Sequence, residues 1–248
     1  MKVTAFIRKT AAKNNVTDQA VVDANGAVIT ATKTFTAEAV EGTIDISFTF
    51  DSSVVAGNAV VAFEELSNGV RVIAEHKDIN DEDQTVKIPH VRTTASDRDG
   101  NKEILADGSV VIQDTVSYDG LPVANADETY TMTGTLMDKE TGESVKDASG
   151  NPITASTNFH NTAENGTVIL EFRVSNAAAV LGGKTVVVFE VITDKDGKEI
   201  AKHEDIEDDD QTVRFPGVKT TATDDAGNKE LMASGSFSLT ALRSMARA

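Results

Sequence analysis

Cysteine is absent from the 248 residues, so no disulfide can brace the fold. That absence does not exclude an extracellular location; it means that any covalent brace must use other side chains. Tryptophan is missing too, and aromatics make up only 5% of the chain. A core must therefore be built from Val, Ile, Leu, Ala and a few Phe, for which a hydrophobic content of 40% is sufficient. No stretch approaches the roughly 18 apolar residues of a membrane span. No charged-then-apolar segment of the signal-peptide type opens the chain, so any export and anchoring signals are expected outside this piece. Cationic charge is scarce: 23 Lys and Arg stand against 40 Asp and Glu, a net charge of −17. Such a surface repels nucleic acid and anionic membrane alike.

What the chain does have is a phrase used twice. It runs from His76 through Asp78-Ile79, Asp81, Asp83 and Gln84-Thr85-Val86, then again from His203 through Asp205-Ile206, Asp208, Asp210 and Gln211-Thr212-Val213. Further segments recur in the same order. Ile29-Thr30-Ala31-Thr32 returns as Ile153-Thr154-Ala155-Ser156, and Gly42-Thr43-Ile44 as Gly166-Thr167-Val168. Val60-Val61-Ala62-Phe63-Glu64 returns as Val186-Val187-Val188-Phe189-Glu190, and Val91-Arg92-Thr93-Thr94 as Val218-Lys219-Thr220-Thr221. Gly100-Asn101-Lys102-Glu103 returns as Gly227-Asn228-Lys229-Glu230. The chain is thus a tandem array with modules of roughly 125 residues, a usual domain size.

The matches predict a truncated repeat at 1–88, a complete repeat at 89–216 and the opening of a third at 217–248. Thr131-Met132-Thr133-Gly134 aligns with Lys2-Val3-Thr4-Ala5, so the first repeat is expected to lack its opening strands. The tail Ala241 to Ala248 departs from the pattern of Asp114-Thr115-Val116-Ser117-Tyr118. Short β-branched runs such as Val110-Val111-Ile112, Thr167 to Val174 and Thr185 to Phe189 are separated by turn sequences such as Asp119-Gly120 and Asp196-Gly197. Seven or so strands per repeat predict an all-β fold of tandem immunoglobulin-like sandwiches. Asn176 to Leu181 is Ala-rich and predicts one short helical turn.

A His and a Gln held in register by an acidic spacer, with a Glu closing an apolar run, form a chemical constellation. A partly buried carboxyl tends to stay protonated, and a neutral acid near an amide can donate a hydrogen bond to the carbonyl oxygen. For a single copy the bland reading, a surface His beside a solvated loop, would prevail; recurrence lowers it. The run Glu204 to Asp210 lacks the Asp-x-Asp-x-Asp-Gly spacing of a calcium loop, so no metal and no cofactor is expected.

Five ordered motifs carry a family resemblance: Thr-Thr-Ala-x-Asp, Asp-Thr-Val-x-Tyr, Thr-Gly-Thr-Leu-Met-Asp-Lys, Val-x-Phe-Glu and His-x-Asp-Ile-x-Asp-x-Asp-Gln-Thr-Val. With them the chain resembles the Thr–Gln ester-bond domains, repeats with a Val-Ala-Phe-Glu signature in the stalks of Gram-positive surface adhesins. Residues 60–64 contain that signature. The resemblance implies CnaB-like sandwiches in which a first-strand Thr attacks the side-chain amide of a last-strand Gln, releasing ammonia. In the second repeat it implies Thr93 as nucleophile, Gln211 as acceptor and His203 as proton carrier. Glu190 and Asp114 would be the carboxyl pair that polarises the amide. Thr94, on the opposite strand face, and Thr115 stay open as nucleophiles, and Asp138 as a rival carboxyl more consistent with a hairpin turn.

The first repeat keeps Glu64, His76 and Gln84 as a half-site, and the third has Thr220 but no acceptor. The resemblance further implies a cell-wall-anchored, extracellular stalk protein, not a turnover enzyme, since the reactive groups consume each other. Its partners would be neighbouring repeats of the same stalk, and a host or cell-surface ligand bound outside this fragment. The competing readings are an immunoglobulin-like ligand-binding module without a cross-link, and an isopeptide sandwich; the latter needs a Lys nucleophile and no such His.

Overall fold

The computed structural model describes residues 2–11, 19–224, 229 and 239–246. These fall into two compact units. One comprises the chain up to Arg92 together with 117–130 and 160–167; the other comprises 93–116, 131–159 and 168 onward.

The first unit is built on one antiparallel sheet of β1 (Lys2–Ala11), β2 (Gln19–Ala20), β3 (Thr30–Thr34), β4 (Asn58–Ser67), β5 (Val72–His76) and β6 (Thr85–Lys87). β1 pairs with β2 and β3 along one edge and with β4 along the other; β4 also takes β5 and β6. A short 3-10 turn at Ser52–Val55 leads into β4, capped by Asp51, whose carboxylate accepts from the Ser53 N–H at 3.0 Å. Val21, Ile29, Val55 and Val60 form a buried cluster with Phe48, Phe50, Val54 and Ile88 packed against it.

After them come β7 (His90–Ser96), β8 (Ser109–Asp119), β9 (Tyr130–Asp138), β10 (Thr154–Phe159), β11 (Gly166–Ser175), the helical turn α1 (Ala177–Val180), β12 (Thr185–Thr193), β13 (Glu199–His203) and β14 (Thr212–Arg214). One sheet runs β10-β9-β12, with β13 and β14 sharing the far edge of β12; the other runs β11-β8-β7. The count is eight strands where about seven were expected. The acidic loop between His203 and Thr212 splits one strand position into β13 and β14, which pair with different ends of β12. The helical turn expected at 176–181 forms as α1, entered through Asn176 in a left-handed conformation at φ 55°.

The two sheets face each other closely at Gly134 on β9. A Cβ there would lie 2.6 Å from Cζ of Phe172 and 2.8 Å from Cδ1 of Leu170, both on β11. Leu170, Phe172 and Val174 are buried between the layers, as are Val186, Val188 and Ile192 of β12; Val187, on the other face of that strand, is buried too. This is a β-sandwich. β15 (Gly217–Asp224) and β16 (Leu239–Ala246) form a separate antiparallel pair. The recurrent segment 227–230 lies outside the described residues except for Lys229.

One expectation separates the two units. Residues 42–50 repeat the pattern of β11, yet they join no strand ladder among the described residues. β11 is a strand because β8 offers it hydrogen-bonding edges. Ile46, Phe48 and Phe50, the counterparts of Leu170, Phe172 and Val174, are only half-buried. The pattern specifies an inward face; a neighbouring strand has to convert it into sheet. At Gly134, a Gly134→Ala substitution should destabilise the sandwich by about 1–3 kcal/mol through overpacking against Phe172. The expected readout is a lower urea midpoint at an unchanged denaturant slope.

Candidate functional site

β7 alternates strictly: Val91, Thr93 and Ala95 are buried and Arg92 and Thr94 exposed. Thr93 therefore faces the interior, 5% exposed. On β8 the inward row is Val110, Ile112, Asp114, Val116 and Tyr118, so an acidic side chain stands in an otherwise apolar file with no solvent exposure. The Thr93 hydroxyl donates to Oδ1 of Asp114.

The opposite sheet brings the remaining groups. In the register of β9, β12 and β13, Glu190 stands between Gly134 and His203. Side chains directly opposite on antiparallel strands share a face, so Glu190 and His203 look the same way, beside Gly134, whose side-chain space the Phe172 ring fills. Glu190 and Gln211 are both fully buried. The Glu190 carboxyl bridges the layers: Oε2 accepts from Nε2 of Gln211 at 2.6 Å, and Oε1 lies 3.5 Å from the Thr93 hydroxyl. Ala95 N–H donates to the Asp210 carbonyl at 2.9 Å and Val188 N–H to the Gln211 carbonyl at 3.1 Å, which fixes Gln211 against β7 and β12 together.

The acidic spacer is a turn device. Asp205 accepts from Glu207 N–H at 2.9 Å, Asp208 accepts from Asp210 N–H at 2.7 Å, and the Thr212 hydroxyl donates to the Asp208 carbonyl at 2.6 Å. The first unit repeats the set with Asp78, Asp81 and Thr85. Asp208 also orients His203, with its Oδ2 3.1 Å from Nε2. The other ring nitrogen, Nδ1, is buried with no hydrogen-bond partner among the described residues, as are Oε1 of Gln211 and Oδ2 of Asp114. Buried polar atoms without partners are uncommon, and three of them fall on residues of this cluster.

Burial is the main force on the carboxyl pair. It raises Asp114 above the usual carboxylate range, against the opposing hydrogen bond from Thr93. It also pushes Glu190 up to about 11, reinforced by the neighbouring Asp114 charge. Both shifts favour the protonated form. At neutral pH the pair therefore carries at least one proton and titrates as a unit.

The structure thus brings Thr93, Asp114, Glu190, His203 and Gln211 to one place. It leaves the alternatives elsewhere: Thr94 and Thr115 are exposed, and Asp138 is paired with Lys184 beside a turn. Two contributors were not singled out from the sequence. Asp208 was read only as part of a solvated spacer. Lys102, whose signal was its recurrence at Lys229, donates to the Asp210 carbonyl at 2.5 Å and lies 3.3 Å from the Asp209 carbonyl, clamping the backbone just before Gln211. Among the described residues, no group of three or more His, Asp or Glu side chains is placed to hold a metal ion.

In the first unit Glu64 accepts from Nε2 of Gln84, His76 stands opposite Glu64, and Asp81 lies 3.0 Å from His76. The His76 side chain is 55% exposed against 21% for His203, so this copy is the more open of the two. Thr220 lies on β15, and its side chain is outside the described residues.

Among solved structures, the chain is similar to a Mobiluncus mulieris adhesin containing intramolecular disulfide, isopeptide and ester-bond cross-links. The identity is 16% and the TM-score 0.42, over 63% of this chain and 74% of that one. A Bacteroides uniformis β-glucuronidase matches at 10% identity and a TM-score of 0.35, over 88% of this chain and 23% of that one. A glycosyl hydrolase family 2 member from Bacteroides cellulosilyticus matches at 10% and 0.33, over 96% of this chain and 28% of that one. The chain thus spans about a quarter of each glycosidase. No curated protein matches. The model of the T-Q ester bond containing domain matches residues 6–88 and again residues 89–215, and the chain belongs to that family.

Proposed function

We propose that Thr93 and Gln211 join in an intramolecular ester, and that the protein is a cross-linked stalk module of a bacterial surface adhesin. The observation that carries the reading is the Glu190 carboxyl, buried and bridging the Thr93 hydroxyl and the Gln211 amide. Asp114 orients the hydroxyl, and His203, held through Nε2 by Asp208, takes its proton on the free Nδ1. With Glu190 protonated, turning the amide over hands its O–H to the unpartnered Oε1 of Gln211 and polarises the carbonyl. The Thr93 Oγ–Gln211 Cδ bond forms, the Cδ–Nε2 bond breaks, and the proton held by His203 leaves with ammonia. The reaction runs once, because nucleophile and acceptor are consumed; this is self-cross-linking rather than turnover.

Such a bond ties β7 to the start of β14. By analogy with disulfides, closing a loop of this length is worth about 5 kcal/mol. Its mechanical value is greater. In an array of repeats, force entering near the first strand leaves near the last through a covalent bond, without unzipping the sandwich. Neighbouring repeats of the same stalk are its structural partners, and ligand binding belongs to other parts of the adhesin. The location that fits is the outer face of a Gram-positive cell wall. No described helix is long and apolar enough to cross a membrane.

Intact-protein mass spectrometry tests the ester. The expected mass is that of the sequence less one ammonia, with the loss abolished in Thr93→Ala and Gln211→Ala; an unchanged mass in the parent chain refutes it. His203→Ala should slow the loss about a hundredfold or more.

A second expectation concerns Thr93→Val, in which no ester can form. Glu190 there keeps a folded-state pKa above its unfolded value, so its contribution is full below about pH 4.5 and declines as pH rises toward about 11. Denaturation between pH 5 and 9 should show stability falling with pH by up to about 1.4 kcal/mol per unit, and Glu190→Gln should remove most of the slope.

A further inference from the structure

We infer that Lys102 is a positioning residue for the acyl transfer: its ammonium registers the segment that leads into Gln211 against the strand that carries Thr93. This rests on the ester proposed for Thr93 and Gln211, and it gives that reaction a group outside the reacting cluster.

A recurrent phrase remains outside that cluster. Asp97 and Gly100-Asn101-Lys102-Glu103 return as Asp224 and Gly227-Asn228-Lys229-Glu230. In the second unit the phrase reverses the chain directly after β7. The Asp97 carboxylate accepts from the Asp99 and Asn101 N–H groups at 2.8 Å each, and from Nδ2 of Asn101 at 2.9 Å. Gly100, at φ 83°, supplies the left-handed residue of the turn. The reversal lays residues 102–104 beside β14. Arg214 N–H donates to the Lys102 carbonyl at 2.7 Å and Ile104 N–H to the Arg214 carbonyl at 2.9 Å, around a parallel bridge of Glu103 to Arg214.

That placement carries the Lys102 side chain to the residues just before Gln211. The Asp210 carbonyl accepts from Ala95 N–H of β7 and from Nζ of Lys102 together, and Nζ also reaches the Asp209 carbonyl. One carbonyl is thus the point where the nucleophile strand, the lysine and the acceptor segment meet. Glu207 to Asp210 is acidic throughout, so the segment repels itself and any ionised carboxyl nearby. Burial pushes the Lys102 ammonium below the usual lysine range, and the charges of Asp210, Asp208 and Asp114 oppose this. The cation therefore acts on the acid that holds His203 and on the acid that accepts from Thr93. Without it, a single N–H donor is left to hold the Asp210 carbonyl to β7. A displacement of about 1 Å at the acceptor is enough to slow such a reaction about a hundredfold.

The test follows ammonia loss by intact-mass spectrometry from the start of cell-free synthesis of the full 248-residue chain and its variants. Lys102→Met keeps an unbranched side chain but no charge and no donor, and should slow the loss about tenfold to a hundredfold. Lys102→Arg keeps the charge and the donors, and should stay within about fivefold of the parent. Urea midpoints of both substitutions in a Thr93→Val background establish that each is folded in the buffer where rates are compared. If Lys102→Met does not fold, Lys102→Gln, neutral but able to donate, carries the same comparison with Lys102→Arg. Equal rates for the parent and the neutral variant, or an Arg variant as slow as the neutral one, overturn the inference and leave the ester standing. No ammonia loss in the parent overturns both.

Discussion

The Glu190 carboxyl in the dry space between two sheets is the constraint around which the second unit is arranged. A lone carboxylate there would be costly, and the chain avoids that cost by keeping a proton on the Glu190–Asp114 pair. A second acid, Asp114, sits in the apolar file of β8, and its charge reinforces that protonation. The pair in turn needs polar neighbours, which are the Thr93 hydroxyl and the Gln211 amide. Two sheets are thereby joined through the polar groups that the proposed ester would use. The same desolvation that makes the cluster expensive would favour the proposed acyl transfer and shield its ester from water.

Comparison of the two copies separates residue identity from environment. Glu64, His76, Asp81 and Gln84 repeat Glu190, His203, Asp208 and Gln211, and the turn hydrogen bonds between them are the same. What differs is the second layer. With β8 and β7 across from it, Glu190 is fully buried and its acidity suppressed. Glu64 has the same strand partners but is only half-buried. The chemistry of the site thus belongs to the sandwich, not to the sheet that carries the acceptor.

Much of this was legible in the residues. Period-two alternation in Val91-Arg92-Thr93-Thr94-Ala95 assigns adjacent threonines to opposite faces, and the buried one is Thr93. The His–Gln spacing reflects a turn whose Asp side chains cap backbone N–H groups, so its length had to recur. Three contributions were not legible. Gly134 matters because a ring from another sheet occupies its side-chain space. Lys102 matters because the chain folds it onto carbonyls more than one hundred residues later. Asp208 stands in a run of acids that are alike in sequence, and only its distance to His203 sets it apart.

The sequence by itself determined the repeat, the β character, the faces of the strands and the identity of the candidate site groups. These follow from local periodicity and turn chemistry, which act over a few residues. Tertiary structure alone decided which copy is dry, which atoms are left unpartnered and whether residues 42–50 or 166–175 become a strand. Those depend on desolvation and on hydrogen bonds from strands distant in the chain, and no local pattern contains them.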